Sequence, residues 1–540
     1  MNRGFFDENN CQNAAGSVSS VIGMTRKHTI LAMILSLLPA FVFAASTSYE
    51  PGSIQPPPPA REFRAAWITE VAANPDWPSQ QGLPTARQKA ELISLLDRAQ
   101  QLHLNAIFFQ VRPAADAFYA SPIEPWSDRL TGVMGKAPEP AYDPLAFLIA
   151  EAHKRGIDLF AWFNPYRAAH PSTKSPPAAN HITKTHPELV RHYGDQVWLD
   201  PGEPAAQKRT LDVVLDVVNR YDVDGVVFDD YFYPYPVKNL LGQELSFPDD
   251  ASWKKYGVPT GLTREDWRRK NVNDLIQKVS LQIKAAKPDV QFGISPFGIW
   301  RPQNPPQIKG LDAYGKIYAD ARLWLANGWV DFLAPQLYWA IDDHDHSFSA
   351  LFNWWRAQNP KGRHVYVASD DTKFSADEIT RQIQTVRTQT SVSGEIHYHL
   401  RSVADNPALA AAVQSQYARP AIVPASPWIN PVPPGKPNLY ATTENAVTAI
   451  RWSPAEAAPR WWLLQVCTSN NWTTEVLPAS QVTRVLTNSN PDAISLRAVD
   501  RLGNVSAPAI LSPQKKTSPA QSQPVRGTIG IDSLAWPPRK

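Results

Sequence analysis

From Glu62 to about Tyr417, short apolar runs alternate with stretches of helical period. The runs Phe63–Thr69, Ala106–Arg112, Asp158–Asn164, Val223–Asp229, Val290–Pro296, Phe332–Tyr338, His364–Ser369 and Glu395–Leu400 read as strands. Between them, Arg87–Gln101, Pro144–Arg155, Ala205–Tyr221, Arg264–Ala286, Tyr318–Asn327 and Ala376–Arg387 read as helices. The fourth of these stops before Lys287-Pro288, where a proline would remove a donor and crowd the preceding turn. Strand–helix alternation is the pattern of βαβ units and a parallel sheet. Eight repeats over roughly 350 residues predict a (β/α)8 barrel, the TIM-barrel architecture, with long loops rather than a doubly wound sheet. After the first strand stands Glu70-Val71-Ala72-Ala73-Asn74-Pro75. It contains no glycine-rich turn to cradle a phosphate, which argues against a dinucleotide fold.

The pattern changes on both sides of this region. Residues 45–60 carry the run Pro56–Pro59 and read as a linker; the barrel is expected over 61–420. A second proline-rich stretch, 421–437, marks a boundary. Beyond it, Asn438–Thr442, Ala446–Trp452, Trp461–Thr468, Arg484–Leu486 and Ala493–Val499 alternate between turn residues. They predict a small all-β sandwich over 438–515, whose last hairpin looks like that of a fibronectin type III domain. Trp452, Trp461 and Trp462 are read as sandwich core in preference to sugar platforms, so this domain is expected to position the barrel. Residues 516–540 are polar and proline-rich and read as a disordered tail.

At the other end, Arg26, Lys27 and His28 precede the apolar run Ile30–Phe43, and Val42-Phe43-Ala44 resembles a cleavage site before Ala45. Residues 1–44 therefore read as a signal peptide, with Met24 a candidate for the true start, and the protein is expected to be periplasmic or secreted. There is no cysteine near that site for lipid attachment. Loss of Cys11 with the leader leaves Cys467 alone, so no internal disulfide is expected.

Charge narrows the field. A formal net charge of +3 over 540 residues is no basic field, and nucleic acid is not an expected partner. The 19 Trp and 17 Tyr matter because many fall at strand ends, where a barrel gathers its functional residues. Trp67 and Glu70 end the first strand, and Gln110 and Arg112 the second. Trp162, Asn164, Tyr166 and Arg167 end the third, and Gln336, Tyr338 and Trp339 the sixth. Together they describe a polar, aromatic bowl suited to a polyhydroxylated ligand.

The fourth strand runs into Asp229-Asp230-Tyr231, and Asp229 shares its face with Val227 and Tyr231. Glycoside cleavage usually needs two carboxyl groups, one protonated and one ionised. Asp229 and Asp230 are the first candidates; Glu70, Asp370, Asp371 and Asp342 are candidates for the second group. The run Asp342-Asp343-His344-Asp345-His346 reads as a solvated loop, and neither metal nor cofactor is expected. His397 and His399 end the eighth strand without a serine or cysteine partner pattern.

These segments also carry a family resemblance. Glu62–Ile68, Gln110-Val111-Arg112, Ala161–Arg167, Val223–Pro234, Ile294–Gly298 and Ala334–Trp339 are similar to motifs of the bacterial glycosyl-hydrolase-like family ten. The resemblance spans roughly residues 60–420. Division-site members of that family are glycosidases of peptidoglycan glycan strands. It implies a cell-envelope hydrolase with Asp229-Asp230 in the active site, and partners among envelope or division proteins met through the sandwich. The fourth strand also resembles that of chitinase-type barrels, but Tyr231 stands where they carry a catalytic Glu. Two other readings stay open: a non-catalytic glycan-binding barrel, and a hydrolase of another envelope polysaccharide.

Overall fold

The computed structural model describes residues 46–70, 75–389 and 393–514. The expected leader and C-terminal tail lie outside the described residues. The barrel strands are Glu62–Ile68, Ala106–Arg112, Asp158–Phe163, Gly225–Phe228, Gln291–Ile294, Phe332–Leu333, the split pair His364–Val365 and Val367–Asp370, and Ser393–Tyr398. All pair in parallel, in chain order, and the eighth returns to the first through Glu395↔Arg64 and Ile396↔Ala65. The seventh strand breaks at Tyr366, one part pairing with the sixth strand and the other with the eighth. The Ala368 N–H donates to the Pro335 carbonyl at 3.1 Å and carries the ladder past the break. The result is a nearly closed TIM-like barrel, as the alternation predicts.

Its interior is built from bulk placed opposite emptiness. Phe63, Phe108, Phe160, Phe332 and Tyr366 pack together inside, with Phe63 stacked on Tyr366 at 4.3 Å between centroids. Glycines make room for them: a Cβ on Gly225 would meet the Phe160 ring at 2.3 Å, and one on Gly293 the Phe332 ring at 2.1 Å. The next inward layer holds Trp67, Trp162 and Val227. Strand alternation then sends the following inward residues to the C-terminal mouth of the barrel.

The outer layer holds helices Thr85–Gln101, Pro144–Lys154, Pro204–Arg220, Arg264–Ala286, Ala321–Asn327, Phe348–Ala357 and Ala376–Gln389. Phe348–Ala357, which the sequence reading leaves unassigned, buries Phe348, Leu351, Phe352 and Trp355, one apolar stripe at helical spacing. After the third strand, Arg167–Ala169, Val190–Tyr193 and Gln196–Leu199 form an antiparallel ribbon beside the mouth.

The C-terminal strands Asn438–Glu444, Val447–Ser453, Trp461–Thr468, Asn471–Pro478, Thr483–Leu486, Ala493–Val499 and Ala509–Pro513 are antiparallel. They enclose a core that includes Trp452 and Trp462, while Trp461 packs on the opposite face of its sheet with Ile422, Leu463 and Val499. One reading needs correction. The proline-rich stretch taken as a linker contributes strand Thr47–Pro51, which pairs with Asn438–Glu444 at one end and Ala509–Pro513 at the other. It ties the two sheets together from upstream of the barrel.

The sandwich docks at the start of the barrel strands, away from the mouth. Arg460 donates to both Asp224 oxygens at 2.6 and 2.8 Å, and Arg501 donates to Asp224 at 3.1 Å and to the Val223 carbonyl at 3.0 Å. Burial alone would raise the Asp224 pKa, but Arg460, His153 and Arg501 hold it well below the usual carboxylate range. Asp158 beside it moves up, through burial and the Asp224 charge.

Candidate active site

A cavity of about 260 Å3 opens at the C-terminal mouth. Trp67, Gln110, Trp162, Arg167, Asp229, Asp230, Tyr231, Gln336, Tyr338 and Asp370 line it, all of them anticipated from strand ends. Inward alternation accounts for most: Val227 leads to Asp229, Ala334 to Gln336 and Tyr338, and Tyr366 to Asp370.

Asp229 is 3% exposed and is held from three sides. The Trp162 Nε1–H donates to its Oδ2 at 3.0 Å, Asn164 Nδ2 to the same oxygen at 3.3 Å, and the Tyr231 amide to Oδ1 at 3.4 Å. Burial first, and the neighbouring Asp230 charge second, push the Asp229 carboxyl up to about 7 against the opposing pull of Arg167 and these donors. Asp230 is buried too, and burial raises it. It accepts from the Tyr235 hydroxyl and, at 3.1 Å, from Gln336 Nε2, which also donates to the Ser295 carbonyl at 3.0 Å. At the end of the seventh strand Asp370, which also lines the cavity, pairs with Lys373 at 2.8 Å and accepts from the Thr372 hydroxyl at 2.6 Å. The cavity thus presents three carboxyl groups among aromatic rings.

Several anticipated residues stand elsewhere. Arg112 does not line the cavity: fully buried, it clamps Glu124 through two bonds of 2.9 and 2.8 Å and donates to the Asn164 carbonyl. A shift in strand register between Gln110 and Arg112 turns it away. Tyr166 is fully buried in the layer between barrel and helices. Asn164 is likewise buried, touching Asp229 and bracing the turn by accepting from the Arg167 amide at 3.0 Å. Glu70 continues the outward face of Ala66 and Ile68, and burial, then the Asp76 charge, hold its carboxyl well above the usual range. Trp339 packs against Phe297 and stacks on His346 at 5.2 Å, outside the cavity. Asp371 binds buried His397 at 3.0 Å, and exposed Asp342 pairs with Arg381. His399 bonds Asp76 at 2.7 Å.

Tyr398, His170 and Lys373 line the cavity without having been anticipated. Tyr398 was legible, since it shares the inward face of Ile396 on the eighth strand. His170 and Lys373 come from loops beyond the strand ends, where alternation gives no direction. Burial, then Arg167 and Arg129, lower the His170 pKa to about 4, so its ring is neutral near pH 7.

A parallel barrel with buried carboxyl groups and aromatic rings at its C-terminal mouth is the architecture of a glycoside hydrolase. The chain belongs to glycosyl hydrolase-like family 10, whose sequence profile matches residues 62–382. It is 41% identical over 404 residues to glycosyl hydrolase YngK of Bacillus subtilis, covering 71% of this chain and 78% of that protein. It is 37% identical over 368 residues to glycosyl hydrolase DigH of Escherichia coli K12, covering 62% of this chain and 81% of that one. The solved PgaB (BpsB) glycoside hydrolase domain of Bordetella bronchiseptica superposes with a TM-score of 0.45 at 14% identity, over 66% of this chain and 98% of that chain.

Proposed function

We propose that this glycoside hydrolase is exported to the cell envelope and cleaves glycan strands of peptidoglycan. In this reading Asp229 is the proton donor to the leaving oxygen. The observation that carries it is a buried carboxyl raised to about 7, beside a second carboxyl, in a cavity walled by Trp67, Trp162 and Tyr338. A group with that pKa keeps its proton near neutrality and can still release it.

Asp230 is too close in the chain to flank the bond from the other side. Its role is to add to the effect of burial in holding the Asp229 proton, while Tyr235 and Gln336 favour its own ionised form. Asp370, from the seventh strand and paired with Lys373, supplies the carboxylate that attacks the anomeric carbon or activates water. Tyr338, Tyr231 and the exposed edges of Trp67 and Trp162 offer aromatic surface to sugar rings.

The test is digestion of purified sacculi followed by mass spectrometry of the soluble products. The reading predicts fragments with new reducing ends at one type of glycosidic bond. Intact sacculi after exhaustive digestion, with turnover of a different polysaccharide in a substrate panel, would replace peptidoglycan as the substrate.

A further inference from the structure

A second hollow of about 240 Å3 adjoins the catalytic cavity and shares Arg167, His170 and Tyr231 with it. Its floor is the antiparallel ribbon after the third strand, where Arg167 pairs with Trp198 and Ala169 with Val197. Asp195 and Gln196 reach it from the turn of that ribbon, and Tyr235 closes it on the side of Asp230. The Arg167 guanidinium lies 4.4 Å from the Tyr231 ring centre and 5.4 Å from that of Trp198. It makes no hydrogen bond or ion pair with any described residue, although it is only partly exposed. A guanidinium has five N–H donors, and a partly buried one without acceptors is a group whose partners come from elsewhere.

We propose that this hollow is a further sugar-binding subsite, which holds a unit of the glycan chain beyond those in the catalytic cavity and makes the enzyme select extended chains over short ones. The proposal rests on the glycan-hydrolase reading. The chemistry of the walls fits a sugar: Arg167 donates, Asp195 accepts and Gln196 does both, matching hydroxyl and acetamido groups that donate and accept. Tyr231 and Tyr235 meet at 5.7 Å in an edge arrangement and offer ring surface to C–H faces. Because Arg167 and Tyr231 belong to both hollows, one chain can run through them without a break. Binding energy gained there orients the bond in the catalytic cavity, so its loss lowers turnover as well as affinity.

The experiment compares disaccharides with size-fractionated longer glycan chains from peptidoglycan, for wild type, Ala169→Trp and Gln196→Ala, each checked for native circular dichroism. Ala169→Trp fills the hollow; Gln196→Ala removes one polar wall. Wild type is expected to show a higher kcat/KM on long chains than on disaccharides. That ratio should fall about tenfold in Ala169→Trp and less in Gln196→Ala. In parallel, Asp229→Asn protein should bind long chains more tightly than disaccharides, and adding Ala169→Trp should erase the difference. Equal length dependence in wild type and both variants, or Asp229→Asn protein that binds long and short chains alike, overturns the subsite. If wild type cleaves no glycan while Asp229→Asn protein still holds long chains in an Ala169-dependent way, the hydrolytic reading fails and the subsite stands.

Discussion

Among the single residues, Asp229 has the most consequential surroundings. Each neighbour acts on its proton in a direction that can be worked out. Trp162 donates to the charged form, so Trp162→Phe removes that support and moves the Asp229 pKa upward, taking the alkaline limb of activity with it. Asp229→Asn keeps the shape and cannot give a proton. It should lower glycan cleavage by about 10²–10⁴-fold while the melting temperature stays at or above that of wild type. Activity below that range in a well-folded variant agrees with the account; near-normal activity does not. Arg112 shows the limit of reading residues one at a time. Its place at a strand end suggests the cavity, yet a one-residue bulge, invisible in an apolar run, turns it to Glu124. Arg112→Met leaves Glu124 buried without its main partner and should destabilise the fold by about 3–5 kcal/mol in chemical denaturation.

For the elements, alternation made most of the site readable. Trp67, Trp162, Asp229, Gln336, Tyr338 and Asp370 all follow from strands whose inward residues could be counted. What was hidden lies where counting stops: His170 in the loop after the ribbon strand Arg167–Ala169 and Lys373 in a turn; Glu70 was named as a candidate, but its place at a strand end masked the outward face that follows from Ala66 and Ile68. Strands Asn471–Pro478 and Ala509–Pro513 were missed because their apolar alternation is weak or their ends carry proline. The eighth strand also carries a buried polar cluster on its outer face. There His397 binds Asp371 and, at 3.2 Å, the Tyr417 hydroxyl, with Glu395 alongside. Burial raises Glu395 to about 8. Burial opposes the His397 charge, but Asp371 prevails and lifts it to about 9. The folded state therefore holds protons that the unfolded chain has released. The stability from His397 is full below its ordinary pKa and is lost as pH rises through 9; that from protonated Glu395 declines as pH climbs from the ordinary carboxyl range to 8. Thermal melts should show falling stability from pH 6 to pH 9, and Glu395→Gln should flatten the slope.

For the whole molecule, barrel and sandwich share charges and a chain segment. Asp224 is buried with Arg460 and Arg501 as partners, and Thr47–Pro51 enters the sandwich before the chain enters the barrel. Deleting 438–514 would bare Ile422 and leave Asp224 without its arginines. It should lower the melting temperature of the barrel and promote aggregation. Arg460→Ala with Arg501→Ala should convert one calorimetric transition into two; a single unchanged transition would mean that the docking contributes nothing to cooperativity.

The central claim is that Asp229 holds the reacting proton because burial, and after it the neighbouring Asp230 carboxyl, raise its pKa. The most direct measurement is the pH dependence of kcat/KM for glycan cleavage by wild type and by Asp230→Asn. Wild type should lose activity as pH rises through about 7. In Asp230→Asn, without the neighbouring charge, whatever activity persists should show that limb at lower pH. A wild-type profile flat through pH 9, or a limb that stays in place when Asp230 is neutral, would contradict the account.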